Sequence, residues 1–103
     1  MIPVKVQKIS FHPPSRSYAV ILCEINGTRK LPVIVGAFEA QSIALALESM
    51  DTPRPLTHDL IGLFIKEVEA KLVAVRITNL EEGVFYATLD FNGKITGKRS
   101  VDS

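Results

Sequence analysis

Residues 31–61 read LPVIVGAFEAQSIALALESMDTPRPLTHDLI, and a change of rhythm inside them decides the fold. Up to Val35 the apolar residues follow one another closely, as in a strand. After Gly36, residues Ala37, Ala40, Ile43, Ala44 and Leu47 recur at intervals of three and four, the spacing of one helix face, and the small alanines allow close approach to a sheet or to another chain. This helix ends before Thr52-Pro53, because proline lacks the N–H a continuing helix needs. Beyond Pro53 and Pro55, the residues Leu60, Ile61, Phe64, Ile65 and Val68 draw a second apolar stripe, with Lys66, Glu67 and Lys71 turned outward.

Outward from this pair of helices the rhythm is that of strands. Val4, Val6 and then Ile9 or Phe11 mark a first strand with a slip near Lys8, ended by His12-Pro13-Pro14. Ser17 to Ile25 is almost continuously apolar, and Asn26-Gly27 predicts a tight hairpin with positive φ leading into Lys30 to Val35. Pro32 places that third strand at an edge or at its own beginning. On the C-terminal side come a strand over residues 72–80, a loop at Glu81-Glu82-Gly83, and a strand from Val84 to Phe91. There Phe85, Ala87, Leu89 and Phe91 alternate with polar neighbours. A second Asn-Gly pair, Asn92-Gly93, predicts another hairpin, and KITGKRSVDS ends the chain as a strand with a local basic cluster of Lys94, Lys98 and Arg99. The order βββααβββ implies one α+β domain over residues 1–103, with a largely antiparallel or mixed sheet and two helices inserted in the middle.

Composition limits what such a domain does. A chain of 103 residues buries roughly two thirds of its unfolded surface and has room for one core. With 47% apolar and 22% charged residues and a net charge of +1, the chain has an ordinary globular composition and no general electrostatic footprint for nucleic acid, so any phosphate contact has to be local. The single cysteine, Cys23, excludes an internal disulfide and a multi-thiolate metal site, and its apolar surroundings predict a buried, inert thiol. No signal-peptide block and no apolar run long enough to span a membrane occurs, so no membrane association is expected and the cytoplasm is the expected location.

The polar residues around the second helix admit two readings. As structure, Thr57 at the N-cap accepts from an early helical N–H, and Asp59 complements the positive end of the helix dipole. As chemistry, the same helix start attracts anions: Arg54, Thr57, His58 and the free amides receive a phosphate, and Asp59 holds a metal ion or a water. Glu39 stands in the first turn of the first helix, again at a positive dipole end. Glu48, nine residues on, is about half a revolution away, so one helix does not aim both carboxylates at one ion. A metal site then needs Glu39 and Asp59 from two helices. Walker loops, nucleophile elbows, H-E-x-x-H pairs and dinucleotide fingerprints do not occur.

The stretch from 31 to 61 resembles the signature region of the bifunctional nuclease domain family, in which an apolar strand ends in Ile/Val-Gly, an E-A helix start follows, and R-P-x-T-H-D-L comes next. The matching residues are Gly36, Glu39 and Ala40 in the first motif and Arg54, Pro55, Thr57, His58 and Asp59 in the second. VFYATL at 84–89 is similar too, so the resemblance covers nearly the whole chain. It differs at its end: after Val101-Asp102-Ser103, family members typically continue with Arg-Pro-Ser-Asp-Ala and a further helix.

The resemblance implies a compact α+β domain, commonly a homo-oligomer (a dimer or higher), and an activity described for plant members as degradation of both DNA and RNA. The expected function is therefore a phosphodiesterase acting on nucleic acid. Asp59 and Glu39 hold a divalent ion such as Mg²⁺ or Mn²⁺, His58 serves as general acid or base, and Arg54 with Thr57 binds phosphate. The alternative is a non-catalytic oligomeric domain that binds a small anionic ligand or a partner protein.

Overall fold

The computed structural model describes residues 1–14 and 16–103 and follows the expected order. The elements are β1 (Val4–His12), β2 (Ser17–Glu24), β3 (Lys30–Val35), α1 (Ala37–Leu47), α2 (Thr57–Glu67), β4 (Ala70–Glu81), β5 (Val84–Gly93) and β6 (Gly97–Asp102). The fold is α+β, and its strands form two antiparallel sheets of three, β1-β2-β3 and β4-β5-β6. The chain divides into two compact units, Met1–His58 and Asp59–Ser103. Among the described residues no helix is long and apolar enough to cross a membrane.

In the first unit β2 is the central strand. The register shift between Val6 and Lys8 is the slip expected near Lys8, and Pro32 lies on β3, an edge strand. Past that shift, one face of the sheet gathers Val6, Ile9 and Phe11, then Tyr18, Val20 and Leu22, then Leu31, Val33 and Val35. Phe11 and Tyr18 face each other directly, with ring centroids 4.9 Å apart and planes tilted by 40°, a favourable cross-strand aromatic pair. Helix α1 lies against β2, and Val20 and Ala40 are the buried apolar residues among the described residues. Cys23, expected to be buried, is half-buried.

The β2–β3 connection differs from the expected Asn-Gly turn. Neither Asn26 nor Gly27 has positive φ; the loop covers residues 25–29 and closes with Glu24 N–H donating to the Arg29 carbonyl at 3.1 Å. Arg29 Nε also donates to Glu24 Oε1 at 2.5 Å. The Glu24 carboxylate lies over Gly27, in the space a β-carbon there would fill. Gly27 supplies room for that ion pair rather than a left-handed backbone.

In the second unit β4 gathers one set of apolar side chains on one face of its sheet. Leu72, Val75, Ile77 and Leu80 are spaced three, two and three, which a strand of period two does not place on one face. Register shifts at Leu72/Ala74 and Ile77/Asn79 each insert one extra residue, Val73 and Thr78, and restore the pattern. That face then aligns with Phe85, Ala87, Leu89 and Phe91 of β5 and with Val101 of β6. Glu82 (φ 51°) and Gly83 (φ 77°) form a two-residue loop with both residues left-handed, the type I′ geometry that matches strand twist. At the other end Asn92 and Gly93 remain inside β5, contrary to the expected hairpin, and the turn falls at residues 94–96, with Gly97 at φ 66°. A β-carbon on Gly93 would stand 3.1 Å from Ala70 Cα, so glycine there serves close approach of two backbones.

The opposite face of this sheet is polar and centred on Asp90. Arg76 binds it through both oxygens, Nε to Oδ2 at 2.8 Å and Nη2 to Oδ1 at 3.0 Å, and the Ser100 hydroxyl donates to Oδ1 at 2.8 Å. Hydrogen bonds from Arg76 and then Ser100 hold the Asp90 carboxyl below its ordinary range. A carboxyl whose folded pKa is depressed adds stability above its unfolded pKa and loses it as pH falls through the folded value. Acid titration of the urea midpoint is therefore expected to show a loss beginning below about pH 4. Asp90→Asn should reduce stability at neutral pH and flatten that segment; an unchanged acid slope would show that the pair contributes nothing.

Helix α2 has no fully buried residue, and of its expected stripe Ile65 is half-buried while Leu60, Ile61 and Phe64 are exposed. Nothing lies within 4 Å of a β-carbon placed on Gly62. Glycine in a helix interior costs about 0.5–1 kcal/mol relative to alanine. Gly62→Ala is thus expected to raise the unfolding free energy by about that amount. A urea midpoint that rises at constant slope is the expected reading, and a fall would reveal a neighbour at this position.

Candidate functional site

The connection between the helices begins with the way α1 stops. Ser49 takes φ 53°, its N–H donates to the Ala46 carbonyl at 3.2 Å, and Met50 N–H donates to the Leu45 carbonyl at 2.9 Å. This is a Schellman termination with serine in the position glycine usually takes. Further on, the Thr52 hydroxyl donates to the Arg54 carbonyl and ties the two ends of the Thr52-Pro53-Arg54 bend together. The helix then starts at Thr57 itself, one residue earlier than a cap at Thr57 implies. Thr57, His58 and Asp59 are its first three residues, and the amides of Thr57 and His58 precede the first intrahelical hydrogen bond.

His58 is tied back to α1 by its side chain. Ser42, in the interior of α1, has Oγ 3.1 Å from His58 Nδ1. Whichever atom donates, Nδ1 is engaged, and Nε2 is the nitrogen left for proton transfer. Arg54 is exposed in the connection, two residues past Thr52, and Thr57 is exposed at the helix start. His58, Thr57, Arg54 and Ser42 all belong to the first unit, whereas Asp59 opens the second.

Glu39 has a position of its own. Gly36 caps α1 with extended backbone, and the Glu39 carboxylate folds back over it, with Oε2 2.6 Å from the point a Gly36 β-carbon would occupy. That is the third helical position, where a carboxylate complements the unpaired amides and the positive dipole end. Glu39 and Ser42 are three residues apart and are neighbours on the α1 surface. Among the described residues, no group of three or more His, Cys, Asp and Glu side chains is placed to hold a metal ion.

The sequence singles out Arg54, Thr57, His58, Asp59 and Glu39 as candidates, and Ser42, which the structure brings to His58, is not among them. Its signal is faint: a serine within an alanine-rich helix, where its hydroxyl does nothing for helix formation. The partner sixteen residues away is set by tertiary packing, which periodicity does not encode.

Comparison with known proteins adds to this geometry. The family model described as the bifunctional nuclease domain matches residues 20–103, a span that includes both motifs. Two curated relatives from Mycobacterium tuberculosis, uncharacterized proteins of strains CDC 1551 and H37Rv, are each 44% identical over 92 residues. The alignment covers 89% of this chain, which spans 56% of the length of either relative.

Proposed function

The chain belongs to the bifunctional nuclease domain family, and from that premise we propose that it is a phosphodiesterase that hydrolyses DNA, RNA or both. The observation that carries the reading is the family match itself, which runs through both the Gly36-Glu39 and the Arg54-to-Asp59 motifs. Geometry supports a division of labour among the residues. The Thr57 and His58 amides at the start of α2 and the Arg54 guanidinium provide donors for a phosphate at a positive helix end. His58 Nε2 is the proton-transfer group, and Ser42 fixes the ring through Nδ1.

In the reaction, the oxygen of a water molecule bonds to phosphorus and the P–O bond to one sugar oxygen breaks. The proton released by the water is taken up, or the one required by the leaving oxygen supplied, through His58. Asp59 is the carboxylate offered to a divalent ion such as Mg²⁺ or Mn²⁺. Asp59 would hold that ion, and among the described residues no group of three or more His, Cys, Asp and Glu side chains is gathered to share it. Such an ion supplies charge neutralisation at the phosphate.

The test is cleavage of labelled single-stranded DNA and RNA by purified protein with Mg²⁺, with Mn²⁺ and with chelator. Turnover supports a hydrolytic enzyme. Saturable binding without turnover in every condition overturns it in favour of a binding module for anionic ligands.

A further inference from the structure

The second sheet carries a basic site whose residues are scattered along the sequence. Lys71 on β4 pairs with Asn92 on β5, and Asn92 pairs with Lys98 on β6, so three strands line up a cation, an amide and a cation in one row. Neighbouring strands lie about 4.8 Å apart, which sets the two lysine α-carbons roughly 10 Å from each other with the amide between them. Beside this row is an open groove of about 680 Å³ lined by Lys71, Val73, Asn92 and Lys94, with Glu69 as its acid. Val73 is the extra residue of the β4 bulge and is 63% exposed, which gives the groove an apolar patch next to its charges. Arg99 braces the hairpin instead: its Nε donates to the Thr96 carbonyl at 3.1 Å, and it is paired with Phe91 on the apolar face.

We propose that this groove and the row beside it bind the sugar-phosphate backbone of single-stranded nucleic acid, with Lys71 and Lys94 of the groove and Lys98 of the row on phosphates and the Asn92 amide donating between them. The choice of ligand rests on the phosphodiesterase reading; the site itself rests on register and charge. A phosphate chain suits it because cations contribute most of such affinity while an intervening amide supplies a directed donor. The first sheet has a comparable row, Lys5, Cys23 and Lys30, but its centre lacks a strong donor. It serves as the control.

The experiment is fluorescence anisotropy of a labelled oligonucleotide of about 20 nucleotides, in chelator to suppress turnover, over a series of salt concentrations. Three proteins are compared: the unmodified chain, Lys71→Gln/Lys94→Gln/Lys98→Gln, and the control Lys5→Gln/Lys8→Gln/Lys30→Gln. The groove variant is expected to bind about tenfold or more weaker, with the salt slope reduced by about 0.7 for each lysine withdrawn from a phosphate, while the control stays near the unmodified protein. Equal weakening in both variants, or none in the groove variant, overturns the proposal, as does a weakening seen on anionic lipid vesicles and absent on the oligonucleotide. Thermal melts confirm that the variants fold, and the single Asn92→Leu variant, which keeps every charge, should also weaken binding. Because chelator suppresses turnover, weaker binding by the groove variant supports the site even if the protein never cleaves, so failure of the activity and failure of the site are told apart.

Discussion

His58→Gln is expected to slow cleavage of single-stranded substrate by about 10²- to 10⁴-fold, the usual contribution of a positioned proton-transfer group. Glutamine keeps a hydrogen-bonding side chain of similar reach, so the loss measures acid–base chemistry rather than packing; His58 is exposed, and the fold should be unaffected. Ser42→Ala tests the support of the ring. A hydrogen bond of about 1 kcal/mol net corresponds to a roughly five- to tenfold fall in kcat/KM. Nitrogen chemical shifts of the ring give a second readout. The chain has two histidines, so His12 serves as the internal reference. His58 is expected to hold one tautomer in the unmodified protein and to populate both in Ser42→Ala, with Ser42→Thr restoring the single form. An unchanged tautomer balance in Ser42→Ala would remove Ser42 from the site, and full activity in His58→Gln would remove His58.

Asp59→Asn is the second large effect, expected to lower turnover by about 10²-fold or more and to leave the residual rate insensitive to Mg²⁺ or Mn²⁺. The structural cost is small by comparison. A first-turn carboxylate is worth about 0.3–1 kcal/mol through the helix dipole, so the melting temperature should fall by a few degrees at most. Chelator should silence the unmodified enzyme, and added Mg²⁺ or Mn²⁺ should restore it. Undiminished cleavage by Asp59→Asn in chelator would mean that neither this carboxylate nor a divalent ion takes part. Glu39→Gln separates the two carboxylates. Its folded-back position over Gly36 predicts a modest loss of helix stability with activity retained, whereas a collapse of activity would make Glu39 part of the chemistry.

Much of this was legible in the letters because local physics leaves local marks. The helical spacing after Gly36, the slip near Lys8 and the edge proline at 32 have the form expected of them, and the loop expected at Glu81-Glu82-Gly83 is there with Glu81 still paired at the end of β4. The two Asn-Gly pairs misled because the dipeptide has more than one use. In one case Gly27 makes room for the Glu24–Arg29 pair, and in the other Gly93 admits the Ala70 backbone. The three-two-three spacing on β4 was present in the sequence and reads as bulges once its register is known. Ser42 and the Lys71-Asn92-Lys98 row were out of reach for a different reason. Each joins residues from separate elements, and such meetings are decided by tertiary packing and strand register.

The different settings of the two Asn-Gly pairs bear on how the protein ages. Asparagine followed by glycine deamidates when the glycine amide nitrogen swings round to attack the side-chain carbonyl and close a five-membered succinimide ring. At residues 26 and 27 the backbone belongs to the β2–β3 loop and pairs with no neighbouring strand, so ring closure there breaks no strand pairing. At 92 and 93 the same dipeptide is held extended within β5, between Lys71 and Ala70 on one side and Lys98 and Gly97 on the other, and ring closure requires that part of the sheet to open. In a stored sample the acquired negative charge should therefore accumulate at residue 26, while Asn92 keeps its amide for as long as the strand remains paired.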